Sequence, residues 1–444
     1  MDISPWDYRV KRARPGAVGL NQRSDVRPQH NLLFTIMHHR YKFLDTSRFN
    51  SCSDSKNRDT AMPAFIDLPR TVVDSEILVV TGWVAGPTPT AAMVTVNGTP
   101  IAHESYERPD VRAAMPQFPF TAGLTAVADL RAFKPSRTLD IMVSINQDRE
   151  RHRVEVTDAL HDRWLDDAAK RAASRAFCKV HLRCPACGAT GLDITPAAVT
   201  CRACRVAFPQ RGNAFDMISV PLAIEANLAS TANVSANPYT PAALALIQRV
   251  TGRGGVVLDC GAGSRPQRTT GVVNVEIVDY PSTDVLAIGE ALPFEDNSFD
   301  AALSLAVLEH VRDPFKCAQE LLRVVRPGGE LLIDVPFLQP VHGFPHHYYN
   351  MTAQGLTNLF AGKADVLSCT VPPHGHPIFG VQWLLRDYLA GLPGDVATAF
   401  GAMTVDDLVA LNAPAFLADA RAHTLSQETQ SPIACLNTLH IQRL

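Results

Sequence analysis

The sequence predicts an α/β chain organised around a parallel sheet in its C-terminal half, with an N-terminal all-β sandwich and a small cysteine-held unit before it. Three observations predict this. From about residue 240 onward, strand and helix patterns alternate, as they do when parallel strands are joined by crossover helices. Residues 64–157 instead carry short runs rich in β-branched residues, punctuated by turn pairs. Between the two lie Cys184, Cys187, Cys201 and Cys204, spaced C-x2-C-x13-C-x2-C.

The totals bound these parts. A chain of 444 residues exceeds one compact core. Its 46% hydrophobic and 19% charged content is that of a globular protein and excludes a wholly disordered chain. The formal charge of −3 supplies no global field to recruit nucleic acid or an anionic membrane. Two segments are basic, however: residues 1–61 hold eleven Lys and Arg against six Asp and Glu, and residues 163–211 hold nine against three. No run is long enough to span a membrane, since Arg386 and Asp387 break the apolar stretch "PIFGVQWLLRDYLAGL". The N-terminus shows no h-region, which predicts no secretion signal. Paired rather than framework-spaced cysteines fit metal binding in a reducing, cytoplasmic setting.

Along the chain, residues 1–61 show no sustained period, which predicts disorder, or an upstream extension of a protein whose natural start is Met62. Residues 62–157 form the predicted sandwich. Its runs are "EILVVTGWVAG", "AAMVTVNGTPI", "FTAGLTAVADL", "TLDIMVSINQD" and "RHRVEV", with turns at Asn97-Gly98 and Gly86-Pro87. A linker helix follows over 158–178, capped by Asp158, with Leu160, Trp164 and Ala168 four apart on one face. Residues 179–220 hold the cysteine unit and 221–444 the parallel sheet. Strands are expected near 255–260, 271–277, 284–288, 299–305 and 329–335. Before the last, "DPFKCAQELLRVVRPGG" reads as a helix capped by Asp313, opened by Pro314, lined by Cys317, Leu321 and Val325, and stopped by Gly328-Gly329. A helical insertion is expected near 378–425, and "PIACLNTLHIQRL" as a closing strand.

"VVLDCGAGSRP" at 256–266 is a βα turn in which the backbone can approach a ligand closely. A P-loop is excluded because no Lys-Ser/Thr follows. A dinucleotide fingerprint is weakened because Pro266 stands at the third glycine position. A plain structural turn is the remaining alternative to a cofactor site. Glu276, ending "VVNVEIVDY", offers a carboxylate that could accept both protons of a ribose diol.

With the motifs "ALPFEDNSFDAALSLAVLEHV" and "ELLRVVRPGGELLIDVPF" that follow, residues 240–360 resemble the class I S-adenosylmethionine-dependent methyltransferases of the methyltransferase-11 type. The resemblance implies a Rossmann-like class I sheet and S-adenosyl-L-methionine as cofactor. It places Asp259 near the methionyl amine, Gly261 and Gly263 against the cofactor, and Glu276 on the ribose hydroxyls. Ile288 stands where the family commonly has an adenine-contacting Asp, so Ile288, Gly289 and Glu290 offer backbone groups there. The resemblance also implies that Leu305 and Ala306 would border the sulfonium. Only "SRPQRTT" separates the turn from the next strand, too short for a full crossover helix. Asp279 therefore remains a rival to Glu276.

Each C-x-x-C pair makes a knuckle with two thiolates facing one ion, and four thiolates close the shell, which predicts structural rather than catalytic Zn2+. The tail "FPQRGNAFDM" resembles small zinc ribbons found before bacterial methyltransferases. His181 and Cys178 read as bystanders, and Cys260 and Cys317 as core residues. On the acceptor side, "PFLQPVHGFPHHYYNMTAQGL" gathers His342, His346, His347, Tyr348 and Tyr349 after a strand, at the edge where open α/β sheets bind ligands. A structural role competes evenly with a base among the three histidines, with Tyr349 orienting it. Thr352 reads as a helix cap and His310 as mainly architectural. "ERPDV" and the surrounding β region resemble accessory domains of bacterial polysaccharide-assembly transferases. That implies O-methylation of a sugar hydroxyl on a glycan or lipid-linked precursor. An RNA methyltransferase gripping phosphates through 163–211 is the rival, although no aromatics interleave its cations, and a non-catalytic cofactor-binding module is a third reading.

Overall fold

The computed structural model describes residues 64–69, 71–86, 92–145, 148–210, 212, 214–228, 235–343 and 346–434. The expected N-terminal extension, Pro87 of the second turn pair, and the closing strand beyond 434 lie outside them. Within that last stretch, Ser431–Ile433 form a 3-10 turn.

The N-terminal region contains β1 (Ala64–Leu68), β2 (Val72–Val73), β3 (Ile77–Gly86), β4 (Ala92–Val96), β5 (Thr99–Ile101) and β6 (His103–Tyr106). Helix α1 (Pro109–Ala114), β7 (Phe120–Asp129), β8 (Thr138–Ile145) and β9 (Asp148–Val156) complete it. One sheet has the order β1-β3-β7-β6 and the other β2-β9-β8-β4-β5. The period-two pattern turns Leu78, Val80 and Val84 of β3, and Leu139, Ile141 and Val143 of β8, into one shared buried cluster. Asn97 and Gly98 take φ of 50° and 79°, the left-handed pair that a two-residue hairpin between β4 and β5 requires. The "ERPDV" segment, residues 107–111, opens α1, with Arg108 at the N-cap bonded to Asp110 and Asp67.

Helix α2 runs from Asp158 to His181, three residues beyond the expected linker. Its cap is Thr157, not Asp158: the Thr157 hydroxyl accepts the Leu160 N–H, which leaves Asp158 as the first helical residue. Leu160 and Trp164 are buried in the sandwich cluster, and the Trp164 indole donates to the Phe133 carbonyl at 3.1 Å. The far end of α2, at Cys178 and Leu182, is buried in a different cluster, that of the C-terminal sheet.

Strands β10 (Leu192–Ile194), β11 (Ala198–Cys201) and β12 (Ala207–Pro209) form a small antiparallel sheet around the cysteine pairs. Next come β13 (Phe215–Asp216), α3 (Val220–Glu225), α4 (Pro241–Thr251), β14 (Val257–Cys260), β15 (Val272–Glu276) and β16 (Val285–Leu286). Strand β17 (Phe299–Leu305), α5 (Pro314–Val324) and β18 (Val325–Asp334) follow. The order β13-β16-β15-β14-β17-β18, parallel throughout, is that of a Rossmann-like sheet. β13 lies inside the 179–220 range expected for the cysteine unit, so that boundary cuts through the sheet.

Asp313 caps α5 by accepting the Lys316 N–H at 3.0 Å, and Pro314 opens it, as expected. The helix stops at Val324, four residues before Gly328, because Val325 already begins the ladder of β18. Alternation splits the sheet's two faces. Val257, Val272, Ala301 and Leu303 pack on α4, while Leu258, Val273 and Val275 face the cluster containing α5. No helix joins β14 to β15. On that face the cover beside α5 comes from the end of α2 and from Val199 and Phe208 of the cysteine unit. Ser174 donates to the Val272 carbonyl at 3.2 Å, and Phe177 packs on Phe299. Buried Arg268 pairs with Asp284 and lies 3.7 Å from Asp167 of α2. Beyond Ala353–Asn358 (α6), a helical insertion begins with Pro377–Ala390 (α7), as expected. No helix among the described residues is long and apolar enough to cross a membrane.

Candidate functional site

Strand β14 delivers Asp259, fully buried, to the start of the glycine turn. Its Oδ2 accepts from the Tyr239 hydroxyl at 2.7 Å and from Arg265 Nε at 3.0 Å. Its Oδ1 has no hydrogen-bond partner among the described residues. Burial pushes the Asp259 carboxyl above its ordinary range, while the Arg265 guanidinium and the Tyr239 phenol oppose that shift. Arg265 is itself fixed by stacking 4.0 Å from the Tyr239 ring centroid and by donating to the Asn237 carbonyl.

Gly261 and Gly263 adopt φ of 75° and 66°, where a side chain is strained. A Cβ at Gly261 would lie 2.4 Å from a Val307 methyl, and one at Gly263 would lie 2.6 Å from the Ser235 carbonyl oxygen. Glu276 closes over the turn, accepting from Gly263 N–H at 2.8 Å and from Ile277 N–H at 2.7 Å. Burial pushes its carboxyl up. The Asp279 carboxylate lies against Gly212. Ile288 is buried and Gly289 lets the chain pass Cys317, where a Cβ would meet the sulfur at 2.7 Å. Glu290 turns its carboxylate to the Arg312 and Asp313 N–H groups, bracing the approach to α5. Leu305 ends β17, and Ala306 beyond it is exposed with φ of 58°. The Asp259 carboxylate thus keeps one buried oxygen with no hydrogen-bond donor among the described residues, beside two glycines in left-handed backbone.

The loops after β17 and β18 bring Glu309, His310, His342 and His347 together. The three imidazole centroids are 4.5–5.5 Å apart. Most of these rings are committed. The His346 Nε2 lies 2.8 Å from the Asn227 carbonyl, the His347 Nε2 2.9 Å from Asn350 Oδ1, and the Tyr349 hydroxyl donates to the Arg312 carbonyl. His342 is held through Nδ1, 2.9 Å from the Pro340 carbonyl, and packs against Trp383 of α7. Burial and the neighbouring His347 and His310 hold His342 down to about 4, so its ring is neutral at pH 7. Glu309 is fully buried and pushed up to about 8 by that burial. Sequence reasoning missed Glu309, Tyr239 and Arg265, and took His310 for architecture. No spacing marks any of them; only the packing of the loops does. Thr352 caps α6 as expected.

The cysteines converge. Cys184 and Cys204 sulfurs are 3.6 Å apart, as are those of Cys187 and Cys201. Zinc–thiolate bonds of about 2.3 Å at tetrahedral angles separate sulfurs by about 3.8 Å, so the four positions match such an ion. Gly188 and Arg205, each four residues past the first cysteine of its pair, both take positive φ and donate to that cysteine's carbonyl. The two knuckles are near copies. Cys178 and His181 stand apart from them, Cys178 in the core and His181 3.5 Å from Glu295.

The Asp259–Arg265 pair yields a test. Arg265→Met strands a buried carboxylate and should cost about 3–5 kcal/mol in urea unfolding, with Asp259→Asn added to it recovering part of the loss. Equal stability of Arg265→Met and the unaltered protein would show that the pair does not hold the turn.

Residues 268–333 match the methyltransferase domain family. An uncharacterized methyltransferase of Mycobacteroides abscessus is 39% identical over 102 residues, covering 23% of this chain and 36% of that protein. One of Mycobacterium tuberculosis is 38% identical over 98 residues, covering 22% and 35%. The chain thus spans about a third of the length of the curated relatives it matches. Among solved structures, the 4+2 cyclase SpnF is 22% identical with a TM-score of 0.23, over 31% of this chain and 62% of that one. A SAM-dependent methyltransferase of Thermotoga maritima, described as a possible histamine N-methyltransferase, is 21% identical with a TM-score of 0.20, over 26% and 67%. With the motif order, the parallel sheet and the glycine turn, the family match makes the C-terminal part of this chain similar to class I methyltransferase domains.

Proposed function

We propose that the protein transfers a methyl group from S-adenosylmethionine to a hydroxyl oxygen of a glycan or lipid-linked sugar. The observation that carries the cofactor half is the bare Oδ1 of Asp259 at a turn built by Gly261 and Gly263. Asp259 would hold the amino group and Glu276, rather than Asp279, the ribose. Ile288, Gly289, Leu305 and Ala306 would line the adenine and sulfonium ends. The bound cofactor supplies an already activated methyl group. The protein's own task is to align the acceptor and relieve its proton. Of the candidates His342, His346, His347 and Tyr349, both ring nitrogens of His347 and the Tyr349 hydroxyl are engaged, whereas His342 keeps Nε2 and His346 keeps Nδ1 without a hydrogen bond among the described residues. His342 stands with Glu309 and His310, and we place the acceptor hydroxyl at its Nε2.

Pairing inside the protein weighs against the RNA reading. Within the basic segment, Arg163 pairs with Glu76, Lys170 with Asp166, Arg183 with Asp296 and Arg202 with Asp193. Arg171 donates to the Arg131 and Pro281 carbonyls, and Arg175 stacks on Phe215. Cations spent this way leave few for phosphates. The two N-terminal sheets, carried on α2, we assign as an accessory domain on the acceptor side of the function. The four cysteines we assign to a structural zinc.

Two measurements test these assignments. Tritiated methyl from the cofactor, supplied to a lysate split into glycan, lipid, RNA and protein, should enter the glycan or lipid fraction. His342→Ala should lower that transfer by about two to four orders of magnitude at unchanged cofactor affinity. Label in RNA would overturn the acceptor, and cofactor binding with no label anywhere would make the domain a binding module. For the zinc, Cys184→Ser should lose one equivalent by elemental analysis and melt at lower temperature, because the site contributes to folding. Metal-free protein with an unchanged melting curve would refute the assignment.

A further inference from the structure

Glu309 is buried with neither carboxylate oxygen hydrogen-bonded among the described residues. An unpaired buried carboxylate is costly, and native proteins meet it with a donor, a proton or a cation. The groups around it are of one kind. His310 Nε2 is 3.6 Å from Glu309 Oε1, and one ligand atom each from Glu309, His310 and His342 lie within 4.8 Å of one another.

The histidines are oriented for coordination. His310 Nδ1 is 2.8 Å from the His346 carbonyl oxygen and His342 Nδ1 2.9 Å from that of Pro340. A carbonyl only accepts, so Nδ1 carries the proton in both rings and Nε2 presents its lone pair. Fixing the outer nitrogen on a backbone carbonyl is how proteins orient a metal-ligating histidine. His347 differs: Asn350 donates through its nitrogen to the Gln339 carbonyl, so its Oδ1 takes the His347 Nε2 proton, and His347 supports the loop. Gly343, at φ of 71°, passes where a Cβ would lie 2.4 Å from His310 Cε1 and 3.0 Å from Nε2. Only glycine leaves the space beside that nitrogen open.

We propose that Glu309, His310 and His342 form a binding site for a divalent transition-metal ion. It is distinct from the four-cysteine set, which lies on other elements. Two imidazoles and one carboxylate suit such ions better than magnesium or calcium. Bonds of about 2.1 Å place neighbouring ligands about 3.0–3.4 Å apart, so the 3.6 Å Glu309–His310 separation is already close, and His342, within 4.8 Å of both, is a small movement away at most. Three protein ligands leave coordination positions open. The His342 Nε2 lone pair serves either the ion or the acceptor proton: with an ion bound, His342 would be a ligand, an acceptor hydroxyl would take an open position beside it, and its proton would pass to water; this role, though not the site, rests on the methyl-transfer reading.

The probe is Mn2+, which thiolates disfavour, added to zinc-loaded full-length protein and followed by loss of the free-ion electron paramagnetic resonance signal. One saturable Mn2+ per chain is expected. Glu309→Gln, His310→Ala and His342→Ala should each weaken it at least tenfold while keeping the zinc held by the cysteines and the circular dichroism spectrum of the unaltered protein. If the site is filled during expression, the protein instead carries a second metal equivalent that His342→Ala and His310→Ala lose. No saturable Mn2+ and no second equivalent would overturn the site, as would binding unchanged in both histidine variants. Should either histidine variant fail to fold, Glu309→Gln with the spectroscopic titration decides. The measurement needs neither cofactor nor acceptor, so failed methyl transfer leaves it standing, and methyl transfer by a protein that binds no such ion removes the metal site alone.

Discussion

The structure depends on how one bare sheet face is covered. Eleven residues separate β14 from β15, and they contain no helix. A parallel pair normally carries its own crossover helix, which buries the strands' apolar side. Here α5 shares the cluster of Leu258, Val273 and Val275, and the rest of that face needs an outside element. Helix α2 and the cysteine unit supply it, through Cys178, Leu182, Val199 and Phe208. A 24-residue helix is about 36 Å long, enough to bury Trp164 in one core and Cys178 in another. The sandwich, the cysteine knuckles and the parallel sheet are therefore joined by packing as well as by sequence.

That arrangement frees the short connection for chemistry. With no helix to begin, the segment after Gly263 turns inward, and Arg265 reaches back to Asp259 while Arg268 pairs with Asp284. Both ion pairs are buried, so each partner's position is dictated by the other. The outcome is a carboxylate held by one oxygen and bare at the other, next to two glycines whose backbone is left-handed. On the opposite side of the β14 tip, the loops after β17 and β18 fold over each other, with Tyr348 and Tyr349 N–H groups donating to the Glu309 carbonyl. This ties the motif "LEHV" to the histidine loop.

Much of this was legible beforehand. Period-two runs found the sandwich strands, the Asn97-Gly98 pair found a hairpin, and Asp313-Pro314 found a helix start, because each is a local preference written in a few adjacent residues. The four cysteines were legible by spacing alone. What escaped was tertiary. Thr157 rather than Asp158 caps α2, a one-residue choice between two good caps. The helix α5 ended at Val324 because strand pairing took Val325, not because glycine stopped it. β13 is two residues long, with no periodicity to read. Glu309 and His310 look like any helix-start pair until the loop carrying His342 is laid across them.

The claim that α2 replaces a missing crossover helix is tested most directly by calorimetric unfolding of two shortened chains. One begins at residue 158 and keeps α2 and the cysteine unit; the other begins at residue 212 and keeps the six-stranded sheet alone. The account predicts a single cooperative transition for the longer chain and none for the shorter, whose exposed Val273 and Val275 face would leave it molten or aggregated. A cooperative transition at the same temperature in the chain lacking α2 would contradict it.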